Sequence, residues 1–172
     1  MARPRLIFTT ISFSQGLLLL IKSGSLIKEI KYLASEKDLF SYLAQLEQKY
    51  SPKPIRDEIS FKEEKDLFPR YFKGQPVNFN HLPLDFSQGT LFQVKVWQEA
   101  QNIPYGRTVT YKELAQRINH SGYRSIGQAL GQNPFLIVVP CHRVLSSNGR
   151  LGGFSAGLSL KKYLLALEGV RL

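Results

Sequence analysis

The first thirty-odd residues constrain the fold most, because β-rich apolar runs are broken at short intervals by glycine-containing turns. The stretch RLIFTTISFSQGLLLLIKSGSLIKEIKYL has its breaks at SQG and KSGS. Runs of this length between turn signals predict a meander of strands. A helical period follows in SEKDLFSYLAQLEQKY, with Ser35 as the N-cap and Asp38 three residues further on. The pattern predicts a helix packed against a small sheet.

Residues 51–89 are rich in Pro, Gly and Asn around scattered aromatic residues, which predicts an irregular segment or edge strands. We place a domain boundary near residue 85, with an α/β domain and its linker over 1–85 and a second domain over 86–172. The second domain begins with TLFQVKVWQEAQNI, whose apolar spacing predicts a helix ended by Pro104 and Gly106.

Two further short helices are predicted in the second domain. TVTYKELAQRI offers a capping box between Thr110 and Glu113, and YRSIGQALGQN follows after the connection NHSG. Short helices around a glycine-containing turn indicate a helix-turn-helix, although many such pairs serve only packing. The net charge is +10, and residues 90–172 carry 10 Lys and Arg against 3 Asp and Glu. This distribution favours a nucleic-acid partner, and solubility alone is the other interpretation of the charge.

The composition also bears on where the protein is located and on whether it binds a metal. No uninterrupted apolar run approaches the roughly 20 residues that span a bilayer, so no membrane partner is expected. The start MARPRLIFTTISF lacks the apolar core of a signal peptide, which leads us to expect an intracellular, cytoplasmic protein. With one cysteine and three scattered histidines, neither a disulfide nor a zinc cluster is expected.

The single cysteine, Cys141, follows the apolar run FLIVV, which predicts a buried strand or extended segment that ends at Pro140. The alternative to a reactive thiol is a buried cysteine that packs as a small hydrophobe. A base or a positive group would activate the thiol, and His142 and Arg143 are the candidates. On an extended strand His142 points away from the sulfur, so it reaches it only if the chain turns or a water bridges the gap. Glu168, the last acidic residue, is the candidate partner of the base.

The stretch PCHRV, with GQNPFLIVV before it and GGFSAGLSLKKYLLALEG after it, resembles the active-site region of the O6-alkylguanine-DNA alkyltransferases. The likeness extends upstream through VWQEAQNIPYGRTVTYKELA and RSIGQALGQNP and covers about residues 90–170. It implies an α/β (α+β) fold, with a small ribonuclease-H-like sheet domain and a mostly helical domain that carries the helix-turn-helix. It also implies a monomer without cofactor that removes the alkyl group from O6-alkylguanine in double-stranded DNA in one irreversible transfer.

The resemblance implies a role for each residue of the site. Cys141 matches the nucleophile, His142 the base that acts through a water, and Glu168 the carboxylate that orients it. Asn133 matches a residue that ties the recognition helix to the active-site segment. Tyr111 matches the residue that rotates the 3′ phosphate and assists at the base.

The DNA contacts and the base pocket follow from the same resemblance. Arg124 matches the arginine that enters the stack in place of the flipped nucleotide. Further DNA contacts are implied for Tyr111, Lys112, Ser125, Gly127 and Ser147, and the base pocket is implied to contain Val144, Phe154, Ser155 and Lys161. The family commonly has tyrosine at the position of Phe154 and alanine at that of Ser125.

Two other functions compete with this one. Alkyltransferase-like proteins bind and flip lesions without accepting the alkyl group, and they lack the cysteine, so Cys141 counts against that class. A cysteine hydrolase using Cys141 and His142 would turn over an ester or a peptide, but it gives the basic second domain no role.

Overall fold

The computed structural model describes residues 5–172, and its sheet begins with the predicted meander. The strands are β1 (Leu6–Phe13), β2 (Gly16–Ser23), β3 (Leu26–Leu33) and β4 (Ile55–Arg56), in the spatial order β3-β2-β1-β4. The first three pair antiparallel, and β4 pairs parallel to β1 at the edge. Gly16 has φ +144°, and a Cβ there would lie 2.5 Å from the carbonyl oxygen of Leu33, so only glycine fits this turn.

The first helix, α1 (Glu36–Lys49), forms where its cap predicts it. The backbone N–H of Asp38 donates to the Ser35 hydroxyl at 3.2 Å. Leu39 and Leu46 are buried, and they pack against apolar residues from all three strands of the meander. The sequence prediction of a helix on a sheet is therefore confirmed.

The prediction for residues 51–89 is wrong in one respect, because this interval contains a helix, α2 (Lys62–Phe72). The proline and glycine content masks a helical spacing of apolar residues, and Pro69 lies inside the helix, where proline costs a hydrogen bond. Burial outweighs that cost, since Phe68 and Tyr71 are completely buried. Glu64 of α2 is also buried, and its carboxylate lies 2.6 Å from the ammonium group of Lys22 on β2.

The second half of the chain contains the three predicted helices, α3 (Leu91–Gln101), α4 (Tyr111–Arg117) and α5 (Tyr123–Gly131). It also contains a helix that was not predicted, α6 (Leu158–Leu167), and a short parallel pair of β5 (Val109–Thr110) and β6 (Val144–Leu145). Capping boxes at Thr90 and Thr110 begin α3 and α4. The Trp97 indole of α3 donates to the carbonyl oxygen of Ala129 at 2.8 Å, which joins α3 to α5.

One continuous apolar cluster includes side chains from both sides of residue 85. The backbone also crosses, because the N–H of Ile30 on β3 donates to the carbonyl of Pro134 at 2.8 Å and that of Leu136 donates back to Ile30 at 3.2 Å. The sheet thus supports the segment that leads to Cys141. The division near residue 85 stays a prediction.

Candidate active site

The segment before the cysteine is buried as predicted, but it is not a strand. Phe135–Val139 folds into a turn closed by a 2.8 Å bond from the Val139 N–H to the Phe135 carbonyl, and Ile137 has φ +72°. A single turn of 3-10 helix follows over Cys141–Arg143. The prediction of a strand or extended segment is therefore wrong, because the segment makes an isolated bridge to β3, at Phe135 opposite Ile30, and then closes on itself in a turn. Since the chain turns here, the side chains of Cys141 and His142 need not point to opposite faces.

Asn133, two residues after the end of α5, holds this turn in place. Its side-chain oxygen accepts from the N–H of Phe135 at 2.8 Å. Its side-chain nitrogen donates to the carbonyl of Val139 at 2.9 Å and to Sγ of Cys141 at 3.3 Å. One amide therefore connects α5 to both the turn and the sulfur.

The sulfur of Cys141 is almost completely withdrawn from solvent, with 5% of the residue exposed. Burial raises the pKa of the Cys141 thiol, and the hydrogen bond from Asn133 and the charge of Lys161 only partly oppose this. The group is therefore a thiol at neutral pH. Because the thiolate is the reactive form, the site needs a base.

Glu168, just beyond α6, is the centre of a buried polar cluster. It accepts from Nε2 of His142 at 2.7 Å, from Arg143 at 2.8 and 3.0 Å, and from the N–H of Gly106 at 3.1 Å. Burial acts to raise the pKa of the Glu168 carboxyl, but the hydrogen bonds and charges of His142 and Arg143 outweigh it and hold the pKa well below its usual range. The sequence made Arg143 a candidate for activating the thiol, but in the structure Arg143 pairs with Glu168.

His142 has the properties of a neutral base. Its burial lowers the pKa of the imidazole, with smaller contributions from Arg143 and Lys161, and this outweighs the opposite effect of Glu168. A neutral ring that donates Nε2–H to Glu168 carries its lone pair on Nδ1. Among residues 5–172, Nδ1 has no hydrogen-bond partner although it is buried. The ring is thus oriented by a carboxylate and has one basic nitrogen free to take a proton.

A cavity of about 510 Å³ opens onto Cys141 between α4, α5 and the segment 152–155. Six of the predicted site residues line it: Tyr111, Arg124, Gly127, Cys141, Phe154 and Ser155. Arg124 is exposed on α5. The structure therefore brings the cysteine and residues of the second helix of the helix-turn-helix to one cavity.

Lys161 and Val144, predicted in the pocket, are not among the residues that line the cavity. Both are completely buried, and the Lys161 ammonium donates to the carbonyls of Val144, Leu151 and Gly153 at 2.7, 2.5 and 3.2 Å. Burial lowers the pKa of Lys161 to about 8. These hydrogen bonds of Lys161 connect α6 to the glycine-rich segment at the edge of the cavity, on the side away from the cavity.

A second groove of about 640 Å³ lies on the other side of Tyr111, and Lys112 and Ser147 line it rather than the cavity. Ser125 faces inward, because its hydroxyl donates to the carbonyl of Gly122 at 2.6 Å and lies 2.7 Å from Nε2 of His120. This hydroxyl therefore holds the turn before α5.

One polar residue of the site was missed by the sequence prediction. Tyr71 of α2 donates its hydroxyl proton to Glu168 at 2.6 Å, across 97 residues of sequence. The only local signal was the apolar spacing of Leu67, Phe68, Tyr71 and Phe72 within the proline-containing interval. That signal predicts a buried face but not which polar group the tyrosine would meet.

Comparison with known proteins identifies the family. Residues 91–170 match the family described as 6-O-methylguanine DNA methyltransferase, DNA binding domain. A methylated-DNA–protein-cysteine methyltransferase from Haemophilus influenzae is 38% identical over 141 residues, which are 79% of this chain and 78% of that protein. The chain belongs to the methylated-DNA–protein-cysteine methyltransferase family. Several Saccharolobus methyltransferases of this family are 41% identical over 117 residues. For the one from Saccharolobus solfataricus, the aligned residues cover 68% of this chain and 75% of that protein.

Solved structures of the methyltransferase family share the fold. Mycobacterium tuberculosis OGT in complex with DNA superposes with a TM-score of 0.78 at 34% identity, covering 94% of this chain and 92% of that one. The O6-methylguanine-DNA methyltransferase from Pyrococcus kodakaraensis gives a TM-score of 0.74 at 25% identity, covering 96% and 99%. The fold class, the resemblance and the direct-reversal repair activity predicted from the sequence are confirmed, and the alkyltransferase-like alternative is not favoured.

No helix in residues 5–172 has the length and apolarity needed to cross a bilayer. Within the same residues, no group of three or more His, Cys, Asp and Glu side chains is arranged to hold a metal ion.

We expect the buried pair of His142 and Glu168 to make the methyltransferase sensitive to acid. The folded pKa of His142 lies below its ordinary 6.5 and that of Glu168 below 4.5, so the unfolded chain binds protons that the folded chain does not. The free energy of unfolding therefore falls as the pH drops below about 6.5, with a slope approaching about 1.4 kcal/mol per pH unit from the histidine, and falls more steeply below about 4.5. Urea denaturation between pH 7.5 and 4 measures this, and His142→Gln should flatten the slope between pH 6.5 and 5. An equal slope in both proteins would assign the loss to another group.

Proposed function

We propose that this protein repairs O6-alkylguanine in double-stranded DNA by moving the alkyl group to Sγ of Cys141, once per molecule. The observation that carries the proposal is the buried thiol beside an oriented neutral histidine, at a cavity lined by the second helix of the helix-turn-helix. The names of the relatives, methylated-DNA–protein-cysteine methyltransferases, support the same reaction.

The chemistry follows from the protonation states. Nδ1 of His142 takes the thiol proton, through the water that the resemblance implies, and the sulfur attacks the alkyl carbon. The new S–C bond forms as the C–O bond breaks, and the electron pair of that bond leaves with the guanine. Tyr111, which lines the same cavity, donates a proton to the leaving base and is reprotonated from His142 or solvent. The products are a thioether on Cys141 and an unmodified guanine, so no cofactor is consumed.

The depth of Cys141 requires the nucleotide to leave the duplex. Extrusion costs a few kcal/mol, and less for a weakened base pair. Arg124 can offset part of this cost by filling the space in the stack, because its side chain is exposed on α5 and also borders the cavity. Gly127 lies one turn further on the same helix and allows a close approach of the backbone to the groove.

The partner is double-stranded DNA, and the basic charge of residues 90–172 supports this. The finer parts of the proposal are its specificity for O6-alkylguanine, its action as a monomer and its location in the cytoplasm. The names of the relatives support the first of these, and the single catalytic set within one chain supports the second.

The test uses a duplex that contains O6-methylguanine with an isotopically labelled methyl group. We expect one label per protein molecule at saturation, located on Cys141 by mass spectrometry of the digested protein. Product in excess of the protein would contradict a single-use acceptor and favour an enzyme that turns over. No label on a folded protein that still binds the duplex would favour a lesion-binding protein.

We predict that Arg124→Ala slows repair of the duplex on the order of tenfold to a hundredfold, which corresponds to the loss of part of the extrusion energy. The reaction with free O6-benzylguanine should change little, because a free base needs no extrusion. Single-turnover rate constants for both substrates measure the difference.

Lys112→Ala is the matched control for Arg124→Ala, since it removes one exposed positive charge from the same helix pair without touching the cavity of Cys141. It should weaken DNA binding and leave the rate constant at saturation unchanged. Equal losses on duplex and free base in Arg124→Ala would contradict a role for this residue in extrusion.

A further inference from the structure

The first half of the chain contributes one hydroxyl group to the buried cluster around Glu168. Tyr71 of α2 donates to Oε1 of Glu168 at 2.6 Å, and the same oxygen accepts from Nε2 of His142 at 2.7 Å. The tyrosine oxygen itself lies 3.4 Å from Nε2 of His142. Arg143 also donates to this oxygen, at 3.0 Å, so three donors share one carboxylate oxygen, and the strength of each bond depends on the others.

The position of this hydroxyl is fixed by packing on every side. The residue is completely buried, and its ring meets those of Phe72, Phe79 and Tyr105 edge-on at centroid distances of 5.6, 5.7 and 6.0 Å. The helix that carries it is anchored at its other end by the buried ion pair of Glu64 with Lys22. A rigid helix thus delivers one donor to one carboxylate oxygen.

The Tyr71 hydroxyl stays protonated at neutral and acidic pH. Burial, and then the nearby Glu168 carboxylate, raise the pKa of Tyr71 well above its ordinary 10. The group therefore acts only as a neutral hydrogen-bond donor to the carboxylate and does not exchange a proton with it.

We propose that Tyr71 is a positioning residue of the alkyl transfer, which sets the orientation and the basicity of His142 through Glu168. A carboxylate that already accepts from a phenol is a weaker acceptor for the imidazole N–H. The tyrosine thus limits how strongly Glu168 favours the protonated ring, which adds to the effect of burial on the imidazole. This inference rests on the proposed function, because it concerns the base of that reaction.

A substitution at Tyr71 removes none of the charged groups around His142. Besides the Tyr71 hydroxyl, the charged groups that act on the ring are Glu168, Arg143 and Lys161. Arg143 and Lys161 are held by Glu168 and by backbone carbonyls, respectively. A change in the pH profile of a Tyr71 variant therefore reports the hydroxyl.

Tyr71→Phe removes this donor and keeps the ring. We expect the acid limb of the single-turnover rate constant to move to higher pH by on the order of half a unit, which lowers the rate on that limb about threefold relative to the neutral plateau. The labelled-methyl duplex at saturating protein, from pH 5 to 8.5, gives the profile. One label per molecule should still be reached at every pH.

Tyr105→Phe is the matched control. Its hydroxyl lies at the same contact between the two halves but donates to the carbonyls of Gly74 and Leu167 and not to Glu168. We expect the profile of Tyr105→Phe to superpose on that of the unsubstituted protein. Superposition of the Tyr71→Phe profile as well would overturn the inference while leaving the proposed function intact, whereas absence of label in the unsubstituted protein would defeat the proposed function itself.

A second substitution keeps the test decisive if Tyr71→Phe does not fold. Placing 3-fluorotyrosine at position 71 alone retains the hydroxyl and makes it a stronger donor, because fluorine makes the phenol more acidic. The carboxylate of Glu168 then accepts less from His142, so the acid limb should move to lower pH, opposite to its shift in Tyr71→Phe. A shift to higher pH, or none, in the fluorinated protein would contradict the role of Tyr71.

Discussion

We expect the replacement of Cys141 with serine to abolish transfer of the labelled methyl group and to leave binding to the O6-methylguanine duplex unchanged. A serine hydroxyl at this position has almost the volume of the thiol but is far less acidic and less nucleophilic, and a neutral histidine cannot make it competitive. In the variant, the serine Oγ replaces Sγ as the acceptor of the hydrogen bond from Asn133, so the turn before residue 141 keeps this support. Incubation with the labelled duplex followed by separation of protein from DNA gives the label transferred, and fluorescence anisotropy gives the binding.

The serine variant separates chemistry from recognition, which an alanine variant would not do because it also removes the acceptor for Asn133. Unfolding by urea should show a free energy close to that of the unsubstituted protein. Label on any residue of Cys141→Ser at the unsubstituted rate would exclude Cys141 as the acceptor. Loss of duplex binding together with transfer would instead assign the cysteine a part in recognition.

Local chemistry was sufficient to predict most of the framework. The caps at Ser35 and Thr110 determine where two helices begin, because a side-chain oxygen accepts from a backbone N–H three residues later and both partners are visible in the sequence. The glycine breaks in the first thirty-odd residues likewise place the turns of the meander. The pairing of Glu168 with His142 was expected from the isolation of that carboxylate in a basic domain, and the structure contains the pair.

Features that depend on distant partners were not predictable in this way. Helix α2 contains Pro69, so composition indicated an irregular segment, and only burial of Phe68 and Tyr71 in the assembled core makes the helix stable. FLIVV is apolar enough for a strand, but it pairs with the sheet only at its start, where Leu136 and the preceding Pro134 form backbone hydrogen bonds with Ile30. Whether Arg143 pairs with the thiol or with Glu168 depends on where the end of α6 places Glu168. The spacing of apolar residues along the sequence does not predict that position.

The second large effect is expected from Glu168→Gln, because the carboxylate accepts at both of its oxygens. Arg143 donates to Oε2 at 2.8 Å and to Oε1 at 3.0 Å, and His142 also donates to Oε1. An amide has one NH₂ group, so in either orientation it places a donor against a donor. Removing the charge also leaves the buried guanidinium unpaired, and the free energy of unfolding should fall by about 3–5 kcal/mol.

Transfer should also slow in Glu168→Gln, on the order of a hundredfold or more, because the ring of His142 loses the acceptor that fixes its Nε2–H tautomer. The rate constant is measured at low temperature, where circular dichroism shows that the variant is folded. Glu64→Gln is the matched control, since Glu64 is another buried carboxylate paired with a cation but lies at the far end of α2. We expect Glu64→Gln to lose stability and to keep its rate constant. A rate that falls equally in the two variants would mean that lost stability, and not the orientation of His142, slows the transfer.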